Sequence, residues 1–197
     1  MSDQREPKDH AEPRTKKPYD QRELRRADSL VLVNTGHGKG KSTAAFGTVL
    51  RGVALEWRCA VVQSLKSGKW HTGEEKVCRS LGVDWFSAGD GFSWDSRDMD
   101  ESQAKAVAAW EFSRDLIAAA SHQLVVLDEI SYPMNWGWID ADDVAAVLRD
   151  RPRTVNVVAT GREMPAPVVE VADTVTEMQV VKHAFADGIR ALRGIDF

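Results

Sequence analysis

Two cysteines, no uninterrupted apolar run near the ~18 residues of a membrane span, and no surplus of positive charge set the first limits on this 197-residue chain. Cys59 and Cys78 cannot form a disulfide scaffold, and no Cys/His group has ligand spacing, so neither disulfides nor a structural metal is expected to hold the fold. The N-terminal residues carry no secretory pattern, which makes a reducing cytoplasm the expected compartment. With 26 Lys/Arg against 30 Asp/Glu, nucleic acid is not expected as the main partner, because phosphate-backbone binding rests on a basic excess. The missing apolar run argues in the same way against a membrane. At this length one core can bury roughly 70% of the unfolded chain's surface, so a single globular domain is expected.

What apolar residues there are do not spread evenly. Residues 1–28 hold eight Lys/Arg, seven Asp/Glu and three of the seven prolines, with Leu24 as the only large aliphatic. Such a segment cannot bury enough surface to offset its ordering entropy, and Met1 to about Pro18 reads as a mobile tail. Residues 19–27 lack proline and favour helix, so they could order against a partner surface. The folded body is expected over residues 29–197.

From Ser29 onward, short β-branched runs alternate with helical patterns, the signature of βαβ units and a parallel sheet. Leu30 to Val33 reads as a buried strand, followed by a glycine-rich turn and a helix with Phe46, Val49, Leu50 and Val53 on one face. Further strands are expected at Ala60–Val62, Val83–Phe86 (an edge), Leu124–Leu127, Val155–Val158 and within Asp173–Val181. A long helix is expected from about Asp100 to Ala120, with Ala104, Ala108, Phe112 and Leu116 inward and a Glu101/Lys105 pair. Another helix should begin at the N-cap Asp140, with Ile139 and Val144 as a hydrophobic staple and Asp143 in the first turn.

The strongest chemical signal is the run Thr35-Gly36-His37-Gly38-Lys39-Gly40-Lys41-Ser42-Thr43 between a strand and a helix. Apart from Thr35 in place of glycine it fits GxxxxGK[ST], in which glycines let backbone N–H groups converge on phosphate oxygens. Lys41 supplies a cation there, and the Ser42 hydroxyl a ligand for Mg²⁺. Asp128-Glu129 at the end of the central strand supplies carboxylates where they could hold that ion. The fold class is therefore α/β, a P-loop (RecA-like), mostly parallel sheet flanked by helices, binding a nucleoside triphosphate with Mg²⁺ or Mn²⁺.

Five of the seven tryptophans, Trp85, Trp94, Trp110, Trp136 and Trp138, fall between residues 85 and 138. Trp110 lies opposite the expected apolar face of its helix. Phe92 and Trp94 stand on a glycine-flexed loop where two large rings suggest a broad, flat, apolar ligand. His10, His71, His122 and His183 have no spacing that resembles a metal site.

Taken together, Thr35 to Gly47, Gly91 to Trp94, Val126 to Glu129, Thr160-Gly161-Arg162, Val181 to Phe185 and Gly194 to Phe197 resemble the P-loop corrinoid adenosyltransferases, from about Leu30 to Phe197. The resemblance implies transfer of the 5′-deoxyadenosyl group of ATP to a cobalt(I) corrinoid, with the reduced cobalt as nucleophile and triphosphate as leaving group. It implies that Gly36, His37, Gly38, Lys39, Gly40, Lys41, Ser42 and Thr43 cradle the triphosphate, in an orientation reversed from usual P-loop enzymes. Lys41 would offset the leaving group's charge, and Arg162 would contact phosphate or ribose. Ser42 with Asp128 or Glu129 would hold the metal, and Phe92 and Trp94 would face the corrin. The same resemblance implies an electron-donating flavoprotein and a homodimer in which the N-terminal segment closes over the partner's nucleotide.

Three places depart from the family pattern. His37 stands where Asn is usual, Ser64 where an aromatic is usual, and Pro133 interrupts a stretch where a helical turn would otherwise be expected. A regulatory ATP-binding protein and a hydrolytic ATPase on the same fold stand as alternatives, since fold alone does not decide function.

Overall fold

A run such as Leu124–Asp128, buried at all five residues, can sit only inside a sheet covered on both faces. The computed structural model describes residues 24–67, 72–89 and 99–195, without the side chains of 66, 67, 88, 89, 99 and 100. Its strands are β1 (Val31–Thr35), β2 (Cys59–Ser67), β3 (Asp84–Gly89), β4 (Leu124–Asp128), β5 (Asn156–Thr160) and β6 (Thr174–Glu177). They form one sheet in the order β3-β2-β4-β5-β1-β6, and every neighbouring pair is parallel. The expected edge strand near Trp85 is β3.

Strand alternation divides the interior into two layers. Val31, Val33, Val125, Leu127, Val157 and Ala159 point to one face, while Val61, Leu124, Val126 and Val158 point to the other. The first face is covered by α3 (Met99–Ala118), α4 (Ser131–Asn135), α5 (Ala141–Asp150) and α6 (Ala166–Val171), the second by α1 (Lys41–Val53) and α2 (Gly73–Ser80). Each fully buried Val or Leu contributes roughly 1.5–3 kcal/mol over leaving it exposed. No helix among the described residues is long and apolar enough to cross a membrane.

Local signals explain where elements begin. Asp140 caps α5, its carboxylate accepting from the Asp142 N–H at 2.9 Å, and Ile139 and Val144 are both buried in the same layer. Thr72 caps α2 in the same way, accepting from the Glu75 N–H at 3.2 Å. The Lys105–Glu101 pair closes at 2.6 Å on α3.

Several expectations are corrected. Leu50 is 48% exposed, and α1 packs through Ala45, Phe46, Val49 and Gly52 instead. At Gly52 a Cβ would lie 3.0 Å from the Cys59 sulfur, so α1 meets the sheet at a glycine. On α3, Ala104 and Ala108 are exposed, and the buried stripe is Ser102, Ala106, Ala109, Trp110, Ser113 and Ile117. A repeated step of four drifts around a helix by about 40° each time, whereas the real stripe mixes steps of three and four. Trp110 is thus core, its indole N–H donating to Asp143 at 2.7 Å, and Phe112 is left at the flank against Phe86 with ring centroids 4.5 Å apart. Pro133 sits inside α4 rather than breaking it, because a proline this close to a helix start removes an N–H that has no intrahelical partner. Residues 24–27 have no regular secondary structure, and the rest of the expected 19–27 helix lies outside the described residues.

Candidate functional site

In a parallel sheet the strands' carboxyl ends face one edge, and here the turns after β1, β4 and β5 meet there. The turn after β1 is shaped by glycine. Gly36 has φ 91° and Gly40 φ 109°, and a Cβ on Gly36 or Gly38 would fall within 2.8 Å of Met178 backbone atoms. The close approach is fixed by two hydrogen bonds, from the Gly38 N–H to the Met178 carbonyl at 2.6 Å and from the Met178 N–H to the Thr35 carbonyl at 2.8 Å. Thr35, where the general pattern has glycine, accepts from the Met164 N–H at 3.1 Å and ties the loop to the β5–α6 connection. α1 then opens with no side-chain cap and no acidic residue in its first turn, so its positive end is uncompensated.

Lys41, the first residue of α1, donates from Nζ to the Gly38 carbonyl at 2.6 Å. Burial pulls its ammonium below the usual lysine range, Arg162 pulls it further, and Glu129 pushes it back up. Arg162 and Glu129, two other charged residues expected at the site, are therefore both within electrostatic reach of Lys41. Ser42 is half-buried next to Lys41.

The acidic pair splits into two roles. Asp128 is fully buried, with Oδ2 accepting from Gln63 Nε2 at 3.0 Å and Oδ1 from the Thr160 hydroxyl at 2.8 Å. Gln63 is held in turn by Trp85, whose indole N–H donates to Oε1 at 3.2 Å. Glu129 is half-buried, with φ 62°, and its N–H donates to Thr160 Oγ1 at 2.9 Å. A left-handed glutamate costs on the order of 1 kcal/mol, so the Thr160 contact stabilises a strained turn that presents the Glu129 side chain. The bonding of Gln63 and Thr160 to Asp128 is not evident from the sequence, in which Thr160 stands only as part of the Thr160-Gly161-Arg162 run. A threonine ending a buried strand two residues before Arg162 was the one available signal.

The other candidates are placed as follows. Lys39 and His37 are exposed, and the His37 imidazole lies 3.7 Å from the Glu163 carboxylate. Thr43 is exposed and borders a groove with Phe46, Leu50 and Val77, whose lining contains none of the loop's glycines. Arg162 is exposed, while its carbonyl accepts from Ser131 Oγ at 2.6 Å. Phe92 and Trp94 lie outside the described residues. Of the other tryptophans, Trp85 joins Trp110 in the core, and Trp136 packs at a tilt against Trp138 and Tyr132, with ring centroids 4.6 and 5.8 Å away. His122 is buried, bonded to Asp84 at 2.8 Å and to Ser121 at 3.0 Å, at the amino edge far from the loop. Among the described residues no three His, Cys, Asp or Glu side chains cluster as a metal site.

A cleft of about 740 Å³ opens beside the loop, walled by His37–Lys39 and Arg162 on one side and by the chain after β6 on the other. Glycine turn, acid-free helix start, lysine and carboxylate at the carboxyl edge define a P-loop-type α/β domain. The family model for "ATP:corrinoid adenosyltransferase BtuR/CobO/CobP" matches residues 27–197. A corrinoid adenosyltransferase of Pseudomonas aeruginosa is 42% identical over 170 residues, covering 85% of this chain and 83% of that one. One from Sinorhizobium is 41% identical over 172 residues, with 85% and 80% covered, and one from Escherichia coli K12 is 36% identical over 199 residues, with 100% of both covered. The chain belongs to the ATP:corrinoid adenosyltransferase family, enzymes that transfer the adenosyl group of ATP to a corrinoid.

Proposed function

We propose that the chain carries out this transfer on a cobalt(I) corrinoid, with its phosphate loop gripping the leaving triphosphate. The observation that carries the reading is the glycine-shaped loop running into an acid-free start of α1, with Lys41 Nζ held on the Gly38 carbonyl at 2.6 Å. Cobalt gives its electron pair to C5′, the C5′–O bond breaks, and that bond's pair leaves on the phosphate oxygen. No side-chain nucleophile is required, so the protein's part is positioning and charge stabilisation. Lys41 and the α1 N-terminus take up charge as it grows on the leaving oxygen.

Mg²⁺ or Mn²⁺ fits the donors present. Mg²⁺ needs only one or two protein oxygens beside phosphate and water, and Ser42 Oγ and the Glu129 carboxylate would be those that hold it. Such an ion would neutralise phosphate charge. Asp128, with both oxygens already accepting hydrogen bonds, acts as the brace for Gln63 and Thr160. By the family resemblance, Phe92 and Trp94 face the corrin, a flavoprotein delivers the electron, and a second copy's residues 19–27 close over the nucleotide in a cytoplasmic homodimer.

Incubation with MgATP and a chemically reduced corrinoid should yield a light-sensitive Co–C product and one inorganic triphosphate per ATP consumed. ADP and phosphate as main products without corrinoid would make the protein an ATPase. Phe92→Ala and Trp94→Ala should slow transfer when a weak biological donor must reduce the cobalt in place, and much less when cobalt(I) is supplied. Equal defects in both regimes would remove the rings from the reduction step.

Lys41 adds a pH signature. Its lowered pKa means the ammonium is lost at a lower pH than the ~10.4 of a free lysine, so MgATP affinity should fall early in the alkaline range. Bound phosphate favours the cation, so binding there should take up protons. Lys41→Arg, a cation above pH 12, should abolish that fall while weakening affinity uniformly. Calorimetry in buffers of different ionisation enthalpy measures both, and a wild-type profile flat to the ordinary lysine range counts against the assignment.

A further inference from the structure

The turn after β5 is fastened at four successive residues, two of them to β1 and two to α4. The Gly161 N–H donates to the Asn34 carbonyl at 3.2 Å and the Met164 N–H to Thr35 Oγ1 at 3.1 Å, so both ends of the turn hang on the end of β1. The carbonyls between them, on Arg162 and Glu163, are taken by α4. Ser131 Oγ donates to the Arg162 carbonyl at 2.6 Å, and Asn135 Nδ2 donates to the Arg162 and Glu163 carbonyls at 3.3 and 3.1 Å. Two carbonyl acceptors can be met only by an amide nitrogen, which fixes the orientation of Asn135. The fit is close, since a Cβ on Gly161 would fall on the Ser131 hydroxyl. Glu163 is held at φ 51°, a conformation that a glutamate keeps only where its surroundings impose it.

What this turn presents is Arg162. Its side chain is exposed and makes no hydrogen bond or ion pair among the described residues, yet it stands in the wall of the nucleotide cleft and within electrostatic reach of Lys41. A guanidinium without a partner of its own is aimed by the backbone that carries it. Glu163, on the same turn, lies 3.7 Å from His37, but both side chains are exposed and such a pair contributes little. We propose that Ser131 and Asn135 are positioning residues for Arg162, holding its backbone from α4 so that the guanidinium meets the bound nucleotide. This rests on the reading of the adjoining loop as an ATP site. Loss of the two side chains would free the turn on its α4 side, so Arg162 would have to be ordered at each binding event, and the cost would fall on affinity. Removing the fastening cannot cost more than removing the arginine it aims.

Titration calorimetry of the full chain with MgATP, without any corrinoid, tests this through a double-mutant cycle. Arg162→Ala should weaken MgATP about tenfold, as the loss of one charge-assisted contact. Ser131→Ala and Asn135→Ala should each weaken it about threefold, and together they should approach the Arg162→Ala loss without passing it. In an Arg162→Ala background either change should matter by less than about 1.5-fold, since nothing is left to aim. Asn135→Asp keeps the shape and loses the donor, so it should bind MgATP no better than Asn135→Ala; wild-type affinity there would reduce Asn135 to packing and overturn its part. In adenosyl transfer the KM for ATP should rise in Asn135→Ala while kcat holds once MgATP saturates. Equal losses with and without Arg162 would show a structural role independent of the arginine and overturn the inference. Unchanged affinity in Arg162→Ala, or in the Ser131→Ala/Asn135→Ala double variant, overturns it as well. Ser131 is fully buried, so if Ser131→Ala does not fold, the exposed Asn135 carries the cycle alone. Loss of MgATP affinity that depends on Arg162, in a protein that forms no Co–C product, would support the positioning role while overturning the proposed function.

Discussion

Lys41→Ala should lower adenosyl transfer by roughly 10²-fold or more, the scale on which one preorganised charge at a developing anion acts. The side chain is poised for this by its position as the first residue of α1, with Nζ on the Gly38 carbonyl at 2.6 Å. That contact is a resting arrangement, because Gly38 belongs to the loop that would wrap a phosphate, and an arriving anion would compete for the same ammonium. Partial desolvation raises the cation's worth toward a phosphate oxygen, since the charge is no longer fully spent on water. Arg162 remains in Lys41→Ala and would retain part of the binding, so kcat should fall further than KM rises. The folded state should not suffer, because a lysine whose charged form is disfavoured by burial makes an unfavourable charge contribution to stability at neutral pH. A melting curve beside single-turnover rates checks both halves. Near-normal transfer in a well-folded Lys41→Ala would take the loop lysine out of the mechanism.

Much of this architecture was legible because its signals are local. The run Leu124 to Leu127 announces a strand buried on both faces, and Ile139, Asp140 and Val144 announce a helix start within six residues. The phosphate loop is equally local, as glycines, lysine and hydroxyl all lie between Gly36 and Ser42. What failed depends on residues far apart in the chain. The inward face of α3 is set by β2 and β3, and Trp110 is drawn inward by an acceptor 33 residues away on α5. The closing of the loop by Met178 joins residues about 140 apart, and the Gln63–Asp128–Thr160 network spans three strands. A paired Asp-Glu after a strand states that carboxylates are present at the edge. Which one faces inward depends on neighbours in β2 and β5, which that dipeptide does not name.

That division of labour predicts opposite phenotypes for two conservative changes. Glu129→Gln leaves the Thr160 contact intact, since that contact uses the backbone N–H, and removes a charge that acts on Lys41. Its melting temperature should be unchanged. Transfer at limiting Mg²⁺ should fall by roughly 10²-fold and recover partly as Mg²⁺ is raised, because the proposed ligand to the ion is weakened. Asp128→Asn should behave otherwise. Either orientation of the new amide turns an N–H toward a group that now donates, Gln63 Nε2 on one side or the Thr160 hydroxyl on the other. Gln63 cannot simply flip, as its Oε1 already accepts from Trp85, and a reversed Thr160 hydroxyl would lose Asp128 as the acceptor of its own proton. A mismatched buried pair costs about 1–3 kcal/mol, which for a chain of this size lowers the melting temperature by roughly 2–12 °C. Its loss of transfer should be little altered by added Mg²⁺, because the defect lies in the turn that carries Glu129. If instead Asp128→Asn melts like the wild type and alone loses its Mg²⁺ response, the buried aspartate holds the metal and Glu129 does not.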